Sequence, residues 1–208
     1  MIVRCVIAAT AIGLIALCFG CAPRTSAPSA SPGVQRTSAP EAPGAAQTGQ
    51  VTNMTFKMTS SAFQDNARIP TRYTGDGANV SPPLAWEKPP EGTGSLALIV
   101  DDPDAPRGTF THWVLYGLSA ARTDLPEALP TRDTLPEVGG AKQGTNDAGK
   151  IGYFGPAPPR GPVHHYHFRL YALDTQVSLP ARARKADVEK AMQGHVVAEA
   201  RLIGTYSR

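Results

Sequence analysis

Short apolar runs bounded by glycine and proline recur from about residue 54 to the end of the chain. Runs of this kind, rich in β-branched and aromatic residues, predict strands. We predict strands at 55–60, 69–73, 96–100, 112–118 and 202–206, with an extended segment at 81–86. Many short strands separated by turns over about 150 residues are typical of an antiparallel β-sandwich or barrel. The predicted fold class is therefore mostly β.

The clearest strand is the segment 164–173, in which apolar and polar residues alternate. Alternate residues of a strand share a face. One face consists of His164, Tyr166, Phe168, Leu170 and Ala172, and is apolar except at its start. We therefore expect this face to be buried, with His164 and Tyr166 where it opens. The other face, which carries the two neighbouring histidines and an arginine, is predicted to be exposed.

Two regions have less regular patterns. Residues 119–150 contain three Leu-Pro pairs and the Gly139-Gly140 break, and we interpret them as a long loop with a short helical turn. Residues 186–200 contain helix formers, with Val188, Ala191 and Met192 on one stripe, and predict a helix that Gly194 weakens.

The first 21 residues have the pattern of a secretory signal. Arg4 precedes an apolar stretch at 6–19, which is too short for a comfortable transmembrane helix. Gly20 and Cys21 follow, and this ending resembles the bacterial lipoprotein signal, in which Cys21 becomes lipidated after cleavage. Cys18 stands where that signal usually has leucine, so an ordinary cleaved signal and an uncleaved anchor remain alternatives. The preferred hypothesis is a lipid anchor at Cys21 in a bacterial cell envelope.

Residues 22–50 are rich in Ala, Pro, Ser, Thr and Gly. This composition cannot bury enough apolar surface to offset the entropy of ordering, so we predict a disordered linker. Its r.m.s. reach would be roughly 30 Å. The predicted organisation is a signal at 1–21, this linker at 22–50 and a single domain at 51–208.

Charge and cysteine content exclude several classes of function. The net charge is +3, and removing residues 1–21 would take away only Arg4, leaving +2. Such a mild charge, without clustered basic residues, does not indicate nucleic-acid binding. Because the three cysteines are Cys5, Cys18 and Cys21, the domain has no disulfide, cysteine nucleophile or cysteine-ligated zinc.

Candidate chemistry begins at the acidic turn 101–106, where Asp101, Asp102 and Asp104 follow an apolar run. Pro103 and Pro106 restrict the backbone there. Preorganised carboxylates suit a binding site, although a solvated surface turn is an equally good interpretation of this segment alone. Beyond it, His112 opens a predicted strand, where a lone histidine is as often a packing residue as a ligand.

Several spaced motifs of this sequence, in order, resemble the phosphatidylethanolamine-binding protein family, and in particular its bacterial Raf-kinase-inhibitor-like branch. They are Ser81-Pro-Pro-Leu-Ala-Trp86, Asp102-Pro-Asp-Ala-Pro106, His112-Trp-Val-Leu115, Gly155-Pro-Ala-Pro-Pro-Arg-Gly161 and the segment from 164 to 174. The resemblance covers roughly residues 54–208 and implies a β-sandwich with a small anion pocket at one end. The pocket positions that it implies are Asp102, Asp104, His112, His164 and Tyr166, with Gly155 and Pro156 shaping the wall.

These residue types suit a phosphate group, because imidazole N–H and phenol O–H groups donate to its oxygens, and a carboxylate orients a neighbouring histidine. No nucleophile, cofactor motif or complete metal set accompanies them: His165 and His167 lack a third ligand, and Asp102 does not start an EF-hand. The expected function is thus binding of a phosphate-containing small molecule or a phospholipid headgroup, without catalysis. The alternatives are a protease or kinase inhibitor acting on a protein target through its surface and, less favoured, an enzyme using paired Asp and His.

Overall fold

A computed structural model describes residues 54–208 of the protein. The predicted signal at 1–21, Cys21 and the predicted linker at 22–50 lie outside the described residues. The strands are β1 (Met54–Thr55), β2 (Met58–Thr59), β3 (Ala67–Arg68), β4 (Leu84–Trp86), β5 (Ser95–Asp102), β6 (Phe110–Ser119), β7 (Asp124–Leu125), β8 (Thr134–Leu135), β9 (Ala141–Gln143), β10 (His164–Leu173) and β11 (Val196–Tyr206). The helix α1 spans Lys185–Met192, and 3-10 turns lie at Thr71–Tyr73 and Pro136–Val138. No helix in this described part is long and apolar enough to cross a membrane.

The strands form two sheets, which confirms the mostly β fold class. The larger sheet has the order β1-β11-β10-β5-β6-β9-β8, with β3 also pairing with β11, and the smaller has the order β2-β4-β7. The long central strands β5, β6, β10 and β11 pair antiparallel. The short strands β1 and β3 add to β11 in parallel, with Met54 opposite Ala198 and Ala67 opposite Gly204.

The central strand β5 is buried on both faces, as its nearly unbroken apolar sequence predicts. One face, with Leu96, Leu98 and Val100, belongs to the main core, which also takes in Trp86 from the smaller sheet. The opposite face belongs to a second apolar cluster, which α1 completes through residues such as Val188. Successive residues of β5 therefore pack alternately in the main core and in the second apolar cluster.

Several sequence-based predictions differ from the structure, among them the strand at 55–60, which is interrupted between Thr55 and Met58. Residues 71–73 form a 3-10 turn after Pro70 rather than a strand. The C-terminal helix ends at Met192, and residues from Val196 onward belong to β11. The stretch 119–150 contains three short strands as well as a turn.

The predicted alternation of β10 is confirmed on its buried face, where every second residue from His164 to Ala172 is buried. On the other face only His165 is exposed, while His167, Arg169 and Tyr171 are half-buried. The ladder between β10 and β5 starts at His167 opposite Asp101, whereas the ladder between β10 and β11 starts at His164 opposite Tyr206. The first residues of β10 thus extend past the end of β5.

Candidate functional site

A cavity of about 220 Å³ lies at the end of the larger sheet where β5 ends and β6 and β10 begin. Four of the predicted polar residues line it: Asp102, His112, His164 and Tyr166. Its apolar walls include Pro106, Phe110, Phe154, Pro158 and Pro159. The structure therefore brings together two histidines that are distant in sequence, beside the carboxylate of the proline-rich turn.

A β-bulge aims His112 at this cavity. Val100 pairs with Trp113, but the next residue of β5, Asp101, pairs with Thr111, so that His112 is the extra residue of β6. A bulge of this kind turns a side chain away from its regular alternation. Without it, His112 would lie opposite Asp101, on the face that belongs to the second apolar cluster.

His112 is only 4% exposed, and its ring is fixed at one nitrogen. Its Nδ1 lies 2.6 Å from the carbonyl oxygen of Phe154. A carbonyl only accepts, so Nδ1 carries a proton and donates. The ring also packs edge-on against Tyr166 and beside Phe110 and Phe154. Burial lowers the pKa of His112, although its hydrogen bond to Phe154 acts in the opposite direction.

His164 is held by a carboxylate instead. Its Nδ1 lies 2.7 Å from Asp102 Oδ2, and both side chains are about 95% buried. The other carboxylate oxygen of Asp102 accepts the Asp104 backbone N–H at 2.9 Å. One aspartate therefore orients the histidine and fixes the turn that closes the end of β5.

Tyr166 carries a buried hydroxyl without a hydrogen-bond partner among residues 54–208. Burial raises the pKa of this phenol, and the Asp102 carboxylate adds to the effect. The hydroxyl is therefore protonated at neutral pH and able to donate. Because a buried polar group in a native fold is almost always hydrogen-bonded, this hydroxyl is the polar group of the site with an unused capacity to donate.

Gly155 and Pro156 support the wall from behind and do not line the cavity. The Gly155 N–H donates to Asn79 Oδ1 at 2.7 Å, and the Pro156 carbonyl accepts from Gly75 at 2.8 Å. A Cβ on Gly155 would lie 2.6 Å from the Tyr73 carbonyl oxygen, which explains the glycine. The Gly155 N–H is thus already used within the protein and is not free to donate to a ligand.

Asp104 also differs from its predicted position in the pocket. Its carboxylate lies outside the cavity lining and accepts from the His165 backbone N–H at 2.8 Å and from the His165 ring at 2.7 Å. It joins the acidic turn to the exposed side of β10. Within residues 54–208, no three His, Cys, Asp or Glu side chains converge as a metal site.

The aromatic walls were missed by sequence reasoning. Phe110 precedes the bulge, and Phe154 precedes the Gly-Pro turn, but neither position stands out in the hydrophobic pattern. Pro106, Pro158 and Pro159 did belong to the noted motifs, yet their role as apolar lining follows only from the fold.

Comparison with known proteins agrees with this architecture. The family model described as phosphatidylethanolamine-binding protein matches residues 59–207. A UPF0098 protein of Methanothermobacter thermautotrophicus is 54% identical over 147 residues, which is 71% of this chain and 95% of that protein. A Mycobacterium tuberculosis protein named as a candidate lipoprotein, LppC, is 40% identical over 148 residues, which is 71% of this chain and 70% of that protein.

Solved structures agree as well. Escherichia coli YbcL, described as a member of the mammalian PEBP family, has a TM-score of 0.69 at 34% identity, covering 74% of this chain and 98% of its own. The Chlamydia trachomatis PEBP homologue CT736 has a TM-score of 0.67 at 38% identity, covering 76% of this chain and 99% of its own. The fold, the order of motifs and these relatives together show that the chain belongs to the phosphatidylethanolamine-binding protein family.

Proposed function

We propose that the protein is an envelope-tethered binding protein whose cavity holds a phosphorylated small molecule or a phospholipid headgroup. The observation that carries this proposal is the buried hydroxyl of Tyr166, which has no hydrogen-bond partner in the described part of the chain. Beside it the cavity presents two imidazoles, each fixed through Nδ1 and each with Nε2 as its remaining nitrogen.

The size and walls of the cavity support a small anion with an apolar substituent. A volume of about 220 Å³ is below the range of about 300–1,000 Å³ that is usual for drug-sized ligands. Aromatic and proline side chains cover most of the wall. A ligand with a charged group bonded to an apolar carbon substituent fits this cavity. The polar side chains would contact the charged group, and the apolar walls would contact the substituent.

A catalytic role has less support from the same residues. As far as residues 54–208 line the cavity, they supply no serine, threonine, cysteine or lysine that could act as a nucleophile. His112 and His164 are bound to a carbonyl and a carboxylate, and neither activates a hydroxyl within the described fold. Binding without chemistry is the simpler function for this site.

Titration with phosphate and with phosphorylethanolamine tests the proposal. Because His112 and His164 supply two of the polar groups, we expect His112→Ala and His164→Ala each to weaken binding about tenfold or more. Calorimetry measures the change, with His195→Ala as control, since His195 is exposed and does not line the cavity. Wild-type affinity in both cavity variants, or no binding by the wild type, would contradict the proposal.

The tether is a second part of the proposal. The lipoprotein-like ending at Cys21 supports it, together with the name of the mycobacterial relative. Several lipid chains anchor a protein firmly, whereas one chain anchors it weakly. We expect Cys21→Ser to move the protein from the membrane fraction to the soluble fraction of the expressing bacterium, as seen by fractionation and immunoblotting, with Cys18→Ser as control. Membrane retention of Cys21→Ser would argue against lipidation.

A further inference from the structure

His112 differs from the other cavity histidine in the partner that fixes it. The partner of His164 is a carboxylate, which compensates a charge on the ring, whereas that of His112 is the neutral carbonyl of Phe154. In both rings the proton sits on Nδ1. The nitrogen of His112 that remains for a ligand is Nε2, which has a lone pair whenever the ring is neutral.

The surroundings of His112 keep its ring neutral near pH 7. The charged or titratable groups around it are Asp101 and Asp102 at the end of β5, Asp147 in the loop before β10, and His164 and Tyr166, which line the same cavity from β10. The three carboxylates favour a charged ring, but burial outweighs them, and the pKa of His112 is lowered from its ordinary value. While Nδ1 donates to Phe154, the Nε2 atom of His112 is then an acceptor and not a donor.

Among residues 54–208, no lysine or arginine lines the cavity and would favour a negative ligand over a neutral His112 ring. A fully ionised oxyanion offers only acceptor atoms, and one of them would face the Nε2 lone pair of His112. Two acceptors in contact in a buried site cannot form a hydrogen bond and repel each other. The mismatch disappears when the ligand brings a proton of its own to that position.

On the basis of the proposed anion pocket, we propose that His112 acts as a hydrogen-bond acceptor that selects oxyanions carrying their own proton donor. A singly protonated phosphate monoester is the ligand class that fits: its P–OH donates to His112 Nε2, and its other oxygens accept from donors such as the Tyr166 hydroxyl. A sulfate monoester has the same shape and a single charge but no such proton.

This selection makes binding of a phosphate monoester depend on pH. The second pKa of a phosphate monoester is about 6. Above this pKa the fraction of the ligand present as the monoanion falls about tenfold per pH unit. The observed affinity falls in the same proportion, because one proton is taken up with each dianion bound. Sulfate monoesters remain monoanions throughout and have no such slope between pH 6.5 and 8.

The test compares methyl phosphate, methyl sulfate and dimethyl phosphate by calorimetry at pH 6.5. We expect methyl phosphate to bind about tenfold tighter than the other two, which lack a proton donor. We also expect its affinity to fall about tenfold between pH 6.5 and 7.5, with uptake of close to one proton seen in buffers of different ionisation enthalpy.

His112→Gln is the matched variant, since a carboxamide can rotate to donate or to accept. The ratio of affinities for methyl phosphate and methyl sulfate should fall towards one, whatever the absolute affinities. Equal affinities in the wild type, or an unchanged ratio in His112→Gln, would overturn this inference while leaving the anion pocket intact. Failure of all three anions to bind would overturn the pocket itself.

Discussion

Lys185→Met is expected to lower the free energy of unfolding by about 3 kcal/mol, because it leaves a buried carboxylate without a partner. Lys185 Nζ lies 2.6 Å from Asp101 Oδ2, and the Asp101 side chain is only 2% exposed. The other oxygen, Oδ1, is buried and has no partner within residues 54–208. Urea denaturation monitored by tryptophan fluorescence measures the change.

A matched control for this variant lies on the same helix. Lys190 is exposed and forms no ion pair with residues 54–208, so Lys190→Met should change stability by less than about 0.5 kcal/mol. Adding Asp101→Asn to Lys185→Met should restore part of the loss, since the unpaired charge is then gone. A Lys185→Met protein as stable as the wild type would refute the assignment of this pair.

Asp102→Ala is expected to weaken phosphate binding at least tenfold. The substitution removes the acceptor of the His164 Nδ1 proton, and hydrogen bonds to charged groups contribute about 1.5–3 kcal/mol. It also removes the acceptor of the Asp104 N–H, so the turn beside the cavity loosens. Calorimetric titration with inorganic phosphate, together with a melting curve to show that the variant is folded, measures the effect.

The neighbouring aspartates are the controls for Asp102. Asp101→Asn changes a side chain on the side of the sheet opposite to the cavity, where it pairs with Lys185. Asp104→Asn changes a side chain whose carboxylate binds His165 outside the cavity. Both should retain affinity within about threefold of the wild type, since neither removes a group that lines the cavity. A loss in Asp104→Asn as large as that in Asp102→Ala would restore Asp104 to the binding site, as the family resemblance implied.

The helix predicted at 186–200 shows where sequence patterns fail. The segment 196–200 contains alanines and a glutamate that favour a helix, yet it forms the start of β11. Its alternate residues Ala198 and Ala200 pack in the main core beside β10, and this tertiary contact outweighs the local preference. The alternation of β10, in contrast, could be read directly because one of its faces is apolar along most of its length.

The candidate site was predictable in part for a similar reason. His164 and Tyr166 follow from the alternation of β10, and Asp102 from its rigid turn. The position of His112 depends on a bulge that changes the register by one residue, and no pattern in β6 reveals it. The roles of Asp104 and Gly155 depend on partners far along the chain, His165 and Asn79, which only the folded structure brings near.

The pairing of β1 with β11 places the start of the described residues far from the cavity. Met54 lies opposite Ala198, whereas the cavity end of β11 is at Tyr206, opposite His164. Eight residues of strand separate these positions, a distance of about 26 Å. The described part of the domain therefore begins at the end of the sheet remote from the cavity, so that whatever precedes Met54 is joined to it away from the approach to the ligand site.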